Sequence, residues 1–304
     1  MKLCAVSVDL DEIPNYFRIH GLGEPSPLAR HAVYDRGIDR LLAMAASSGF
    51  PLTLFAIGAD LERPESAAKL RQAREAGHEM GNHTLDHRYD LTHLERAEIA
   101  HQIAAGADAI ERATGERPVG FRAPGYTITD QVFSVLRELE VRYDSSVFPC
   151  PPYYAAKAAA LGWIRLRGRT SHSVLDTPRV LSAPTRPYRV GTPYWKMGDG
   201  VLELPIQVTR GLRLPVIGTS LTLAGPARAR MLARMCIGAP LVNLELHGID
   251  VLDANDGLDA LLPFQPDVKV RRERKLESLH ATFDTLRDAG YTFVTLREAA
   301  EALG

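Results

Sequence analysis

"DRGIDRLLAMAASSGFPLTLFAIG", residues 35–58, contains one complete structural unit. Ile38, Leu41, Leu42 and Met44 recur at helical spacing, and Gly49 stops the run. "PLTLFAIG" (51–58) then reads as a short buried strand. The same unit recurs on both sides. "KLCAVSVDL" (2–10) is an apolar, β-branched strand ending near Asp9. "ESAAKLRQAREAG" (65–77) is a helix closed by Gly, followed by the strand "HEMGNH" and a helix from about Leu91 to Ala113. "PVGFRAP" precedes a helix from about Asp130 to Leu139; then come "VRYDSSVF", "VLELPI", "LVNLELHG", a helix over 269–289, "YTFVTL" and a terminal helix.

Strands alternating with helices imply parallel pairing through helical crossovers. Six or more such units suit one barrel better than two separate sheets. The predicted fold class is therefore α/β, a distorted (β/α) barrel, with residues 1–304 as a single catalytic domain. In such barrels chemistry gathers at the C-terminal strand ends. Asp9, Asp11, His83, Arg122, Asp144 and His247 all lie where a strand is predicted to stop. Residues 150–225 break the pattern: rich in Pro, Arg and Thr, they read as a long, irregular insertion near the barrel mouth, a substrate wall. Within it, "LRLPVIGTSLTLAG" (212–225) reads as buried strand plus turn, with a surface for a lipid-like substrate as the alternative.

Hydrophobic residues make up 45% and charged residues 24%, the composition of an ordinary globular protein. A net charge of -1 excludes a global bias toward nucleic acid or anionic membrane. Cys4, Cys150 and Cys236 are sparse and odd in number, which argues against a disulfide framework and a Cys-based zinc site. The first residues turn acidic too early for a signal peptide, and no apolar run approaches the roughly 18 residues of a transmembrane segment. The expected location is cytoplasmic.

His83 and His87 stand four apart in "HTLDH", and on a helical turn both rings would converge on one point. Asp9 and Asp11 in "VDLD" share a face while the strand stays extended. Two His and a carboxylate form a three-ligand metal set that leaves a position open for water. A divalent ion there makes amide or ester hydrolysis the natural chemistry. Two aspartates suggest divided labour, one on the metal and one taking the proton of water.

These residues resemble the NodB-homology polysaccharide deacetylases, carbohydrate esterase family 4, as five short motifs in the family's order. The first motif corresponds to Asp9 and Asp11, here separated by Leu10, a variant of divergent members. The resemblance implies Asp11, His83 and His87 as metal ligands and Asp9 as base. "FRAPGY" matches the third motif: Arg122 would orient and tune the base, and the Gly125 N–H would help hold the oxyanion. "YDSSVF" offers Asp144 and an apolar wall, with Phe148 standing where Trp is usual. "LELHG" makes His247 the acid for the leaving amine, and Asp144 is expected to pair with it.

The activity so implied is metal-dependent removal of an N-acyl group, N-acetyl in the first instance, from an amino sugar or glycan. Zinc is the expected ion, with cobalt, nickel or iron as alternatives. One alternative is a deformylase of a lipid-linked amino sugar in peripheral contact with the inner membrane face. A more distant one is a non-catalytic carbohydrate-binding barrel. His20, His31, His78, His93, His101, His172 and His280 read as structural or surface residues. Asp250, Asp253 and Asp256 read as a solvated turn, because the acid a calcium loop needs at its twelfth position is absent.

Overall fold

The computed structural model of the chain describes residues 2–166, 171 and 173–304; His172 lies outside them. Its strands are β1 (Leu3–Asp9), β2 (Thr53–Ala56), β3 (Glu79–Asn82), β4 (Gly120–Phe121), β5 (Tyr143–Asp144), β6 (Tyr188–Val190), β7 (Met197–Glu203), β8 (Leu241–His247) and β9 (Thr292–Val294). They form one sheet in the order β6-β7-β5-β4-β3-β2-β1-β8, with β9 paired to β1. Among the strands of the described residues, only β6 runs antiparallel to its neighbour. The sheet curls into a half-barrel flanked by helices, so the predicted fold class holds.

Alternation on two strands explains where the site lies. Successive side chains of a strand point to opposite faces. On β1, Cys4, Val6 and Val8 pack outward with Ile38, Leu41 and Met44 in the largest apolar cluster. Leu3 and Ala5 point the other way, into a cluster with Phe55, Tyr143, Leu202 and Leu241. Ser7 and Asp9 continue that inner row, so it passes from apolar at its base to polar at the strand's C-terminal end. β8 repeats the sequence of Leu241, Asn243, Glu245 and His247 in register with Leu3, Ala5, Ser7 and Asp9. The polar upper interior gains little from transfer out of water. Stability comes from the outer and basal clusters, where each buried Val, Leu or Ile contributes about 1.5–3 kcal/mol.

β8 pairs with all of one β1 edge. The other edge is shared: β9 takes Leu3–Ala5 and β2 takes Ser7–Asp9. Between β7 and β8, residues 204–217 bridge the gap. Gln207 N donates to Asn243 O (3.0 Å), and Ile217 makes one parallel bridge to Glu245.

Several predicted elements change. The helix expected from Leu91 is a short turn, Leu91–His93, then an extended Leu94 and Glu95, then the helix Arg96–Thr114. The insertion is not irregular at its start: Pro151–Leu166 is a helix. Pro151 and Pro152 occupy its first two positions, where a missing N–H costs nothing, so a pair that reads as a breaker is a start signal. Residues 218–224, expected as strand and turn, form the helix Gly218–Ala224. A further helix, Ile13–His20, directly follows Asp11.

Candidate metal centre and active site

His83 and His87 converge, though not on a helical turn. The chain leaves β3 as a loop in which Thr84 (φ 69°) and His87 (φ 52°) are left-handed. Non-Gly residues hold that conformation at a cost of about 1–3 kcal/mol each, repaid by surrounding structure. Here Asn82 Oδ1 accepts from Thr84 N (3.0 Å), and Thr84 Oγ1 accepts from His87 N (3.1 Å).

The two Nε2 atoms lie 3.3 and 3.2 Å from Asp11 Oδ1. One ligand atom from each of the three residues falls within 4.8 Å of the others, all three residues buried. Asp11 Oδ1 and both ring nitrogens of His87 are buried without a hydrogen-bond partner. His83 Nδ1 lies 2.7 Å from Arg122 O, which fixes the tautomer and aims the Nε2 lone pair at the cluster. Orphaned polar atoms, an oriented imidazole and a two-nitrogen, one-oxygen donor set all fit a divalent ion of the zinc type.

Asp9 ends β1 beside this cluster, its Oδ2 3.8 Å from His83 Nε2. Its Oδ1 takes a 2.7 Å hydrogen bond from Arg122 Nη1. Arg122 is fully buried and spends its other donors on Ser145 O (2.8 Å), Ser145 Oγ (2.9 Å) and Ser7 Oγ (2.8 Å). The Phe55 ring lies 4.2 Å below the guanidinium. So many fixed contacts leave Arg122 one position, and with it Asp9.

His247 ends β8, and its expected partner changes. Its Nδ1 lies 3.0 Å from Glu245 Oε1, not from Asp144. Asp144 instead accepts from Ser146 N (2.9 Å) and Ser146 Oγ (2.8 Å) and stands beside Glu203, its register partner on β7. Burial, and then the charge of Asp144, push Glu203 well above the usual carboxyl range, so Glu203 is the protonated member. The reason is positional. Asp144 lies on β5, with three strands between it and β1, whereas Glu245 is two residues before His247 on the same strand face. That period of two was the available signal. Burial works against a charged His247, but Glu245, Asp11 and Asp9 together outweigh it, and the pKa is raised well above the ordinary value. Asp250 Oδ2 accepts from His247 N at 2.8 Å and holds the backbone.

Asp9, Glu245 and His247 also bring ligand atoms within 4.8 Å of one another. Arg122 and a protonated His247 already balance those two carboxylates, so this second group fits an acid–base pair better than an ion. A cavity of about 450 Å³ opens above both groups. Gly125 lines it at φ +64°, with Tyr89 against the face a side chain would occupy. Tyr126 Oη lies 3.4 Å from His247 Nε2. Tyr153, Lys157, Ile217 and Leu223, all from the insertion, complete the wall. The remaining described histidines are not part of it, except His20, which lines the cavity stacked on Phe264.

A family model described as polysaccharide deacetylase matches residues 32–143, which include His83, His87, Arg122 and Gly125. Three solved structures share the fold. A Mycobacterium smegmatis protein assigned as a polysaccharide deacetylase is 19% identical, with 99% of this chain and 90% of that chain covered and a TM-score of 0.61. The Xyl-CE4 domain of a multidomain xylanase from the hindgut metagenome of Trinervitermes trinervoides is 14% identical, with 99% and 90% covered and a TM-score of 0.51. A CE4 family pseudoenzyme from Bacillus anthracis is 13% identical, with 99% and 66% covered and a TM-score of 0.53. Taken with the motif order and the half-barrel, this match bears out the resemblance to the NodB-homology polysaccharide deacetylases of carbohydrate esterase family 4.

Proposed function

We propose that the chain is a metal-dependent N-deacylase that removes an acetyl group from an amino sugar or glycan. The observation that carries this reading is the Asp11, His83 and His87 cluster beside the separately paired Asp9 and His247. A divalent ion held by those three ligands, zinc in the first instance, would polarise the acyl carbonyl and acidify water. Asp9, fixed by Arg122, takes the proton of the attacking water. The Gly125 N–H donates to the developing oxyanion. His247, protonated against Glu245, gives its proton to the departing sugar nitrogen. Residues 150–225 act as the substrate wall, supported by the cavity positions of Tyr153 and Ile217.

Cytoplasmic residence belongs to the proposal and is supported by three free, buried cysteines, the state of a reducing compartment. No helix of the described residues is long and apolar enough to cross a membrane. The test is mass spectrometry of products from acetylated and formylated amino sugars, free and lipid-linked. Release of acetate supports the reading, and formate alone would reassign the acyl group. No turnover by metal-loaded protein across the panel would leave a binding barrel.

A further inference from the structure

The helix Pro151–Leu166 carries Lys157 into the cavity wall next to Gly125. Its Nζ donates to Gly125 O at 2.9 Å. Gly125 abuts Tyr89, whose ring meets that of His87 edge-on with centroids 4.7 Å apart. Two residues in contact therefore separate Lys157 from the metal cluster.

An ammonium has three protons, and one is spent on Gly125. Among the described residues no carboxylate oxygen comes within 4.0 Å of Nζ. The residues outside that set include no Asp or Glu. Asp176 acts on Lys157 through space, but its own oxygens are taken by Tyr194 Oη (2.8 Å), Thr177 N and Ile128 N. Burial lowers Lys157 to about 8, and Asp176 offsets this only in part. The surroundings are largely apolar: Tyr16, Tyr126, Tyr153, Ile217 and Ile249 line the same cavity. Charges withdrawn from water are normally paired. Among the described residues the half-buried Lys157 has no such pair, and its free donors border the space a substrate would enter.

We propose that Lys157 is a specificity residue that pairs with a fixed negative charge on the substrate, a phosphate or a carboxylate borne by the amino sugar. Placement of the acyl group at the metal cluster rests on the deacylase reading above; the anion subsite does not. Ser173 lines the same cavity and can add a neutral donor to the anion.

The test needs no turnover. Glucose 1-phosphate, glucuronate and methyl glucoside are titrated calorimetrically into the full-length protein as purified, as wild type, Lys157→Gln and Lys157→Arg. At least one anionic sugar should bind wild type tenfold or more tightly than methyl glucoside. Preference for the phosphate or for the carboxylate identifies the source of the charge. The ratio should fall below about threefold in Lys157→Gln and be partly kept in Lys157→Arg, which retains the charge. Equal wild-type binding of charged and neutral sugars overturns the proposal, whatever the variants do. So does a preference that survives in Lys157→Gln, which would locate the anion at the metal cluster. An inactive protein that keeps the Lys157-dependent preference would refute deacylation and leave the subsite standing.

Discussion

Asp9 and His247 are register partners across β1 and β8, so the proposed base and acid end adjacent strands on one inner face. Left to themselves they would pair with each other and neither would be free for proton transfer. Each has its own counter-ion instead: Arg122 Nη1 lies 2.7 Å from Asp9, and Glu245 Oε1 lies 3.0 Å from His247. Two opposed ion pairs keep the base and the acid distinct within a few ångströms.

Glu245→Gln should move the pH dependence of kcat. The His247 pKa is raised, Glu245 being the largest cause opposing burial, so the imidazolium persists to higher pH and the falling limb lies on the alkaline side. Removing that charge lowers the pKa, and the limb should move toward acid by about one unit or more. An unmoved limb with reduced kcat would limit Glu245 to holding the ring.

His83→Ala and His87→Ala should each lose the metal, read by elemental analysis of the purified protein. Helix content by circular dichroism should stay near wild type, because the apolar clusters lie elsewhere. Full metal content in both variants would disprove the ligand set.

Asp9→Asn should keep the metal and lose about 10² to 10⁴ in kcat, the usual contribution of one acid–base group. Arg122→Met is expected to cost more than activity. It leaves a buried Asp9 without its partner, a change of about 3–5 kcal/mol read by denaturant unfolding. Loss of metal in Asp9→Asn with retention in Asp11→Asn would exchange the two aspartates' roles.

Much of this arrangement was legible in the sequence because it depends on period and order. The helix–Gly–strand unit at 35–58 recurs, and strand ends coincide with Asp9, His83, Arg122 and His247. What was not legible depends on geometry between segments. Thr84 and His87 are not residues that announce a left-handed backbone, so their loop reads as a helical turn. Asp144 ends β5 while Glu245 lies two residues before the end of β8; the period of two pointed to Glu245, and the order of the sheet shows that Asp144 lies too far away to reach His247. The Pro pair at 151 and 152 hid the helix that brings Tyr153 and Lys157 to the cavity.

Gly106 gives the last expectation, and its sign runs against helix propensity. It lies inside the helix Arg96–Thr114, where Gly is less favourable than Ala by about 1 kcal/mol. Its place is steric. A Cβ there would lie 2.6 Å from Asn82 Oδ1, 2.7 Å from Thr84 C and 2.9 Å from Leu85 N. Two of those are backbone atoms that cannot rotate aside, and Leu85 N already donates to Gln102 O at 2.9 Å. Asn82 and Thr84 are the residues that shape the loop between His83 and His87. Gly106→Ala should therefore push that loop off the helix and misplace both imidazoles. We expect a melting temperature lower by several degrees, as a loss of about 1–2 kcal/mol gives in a protein of this size. Metal affinity should fall about 10- to 100-fold, as when residues supporting a metal ligand are lost. Excess metal should recover part of the activity, since the ligands themselves remain. A Gly106→Ala protein that melts higher and binds metal as wild type does would show that the helix can withdraw without disturbing the site.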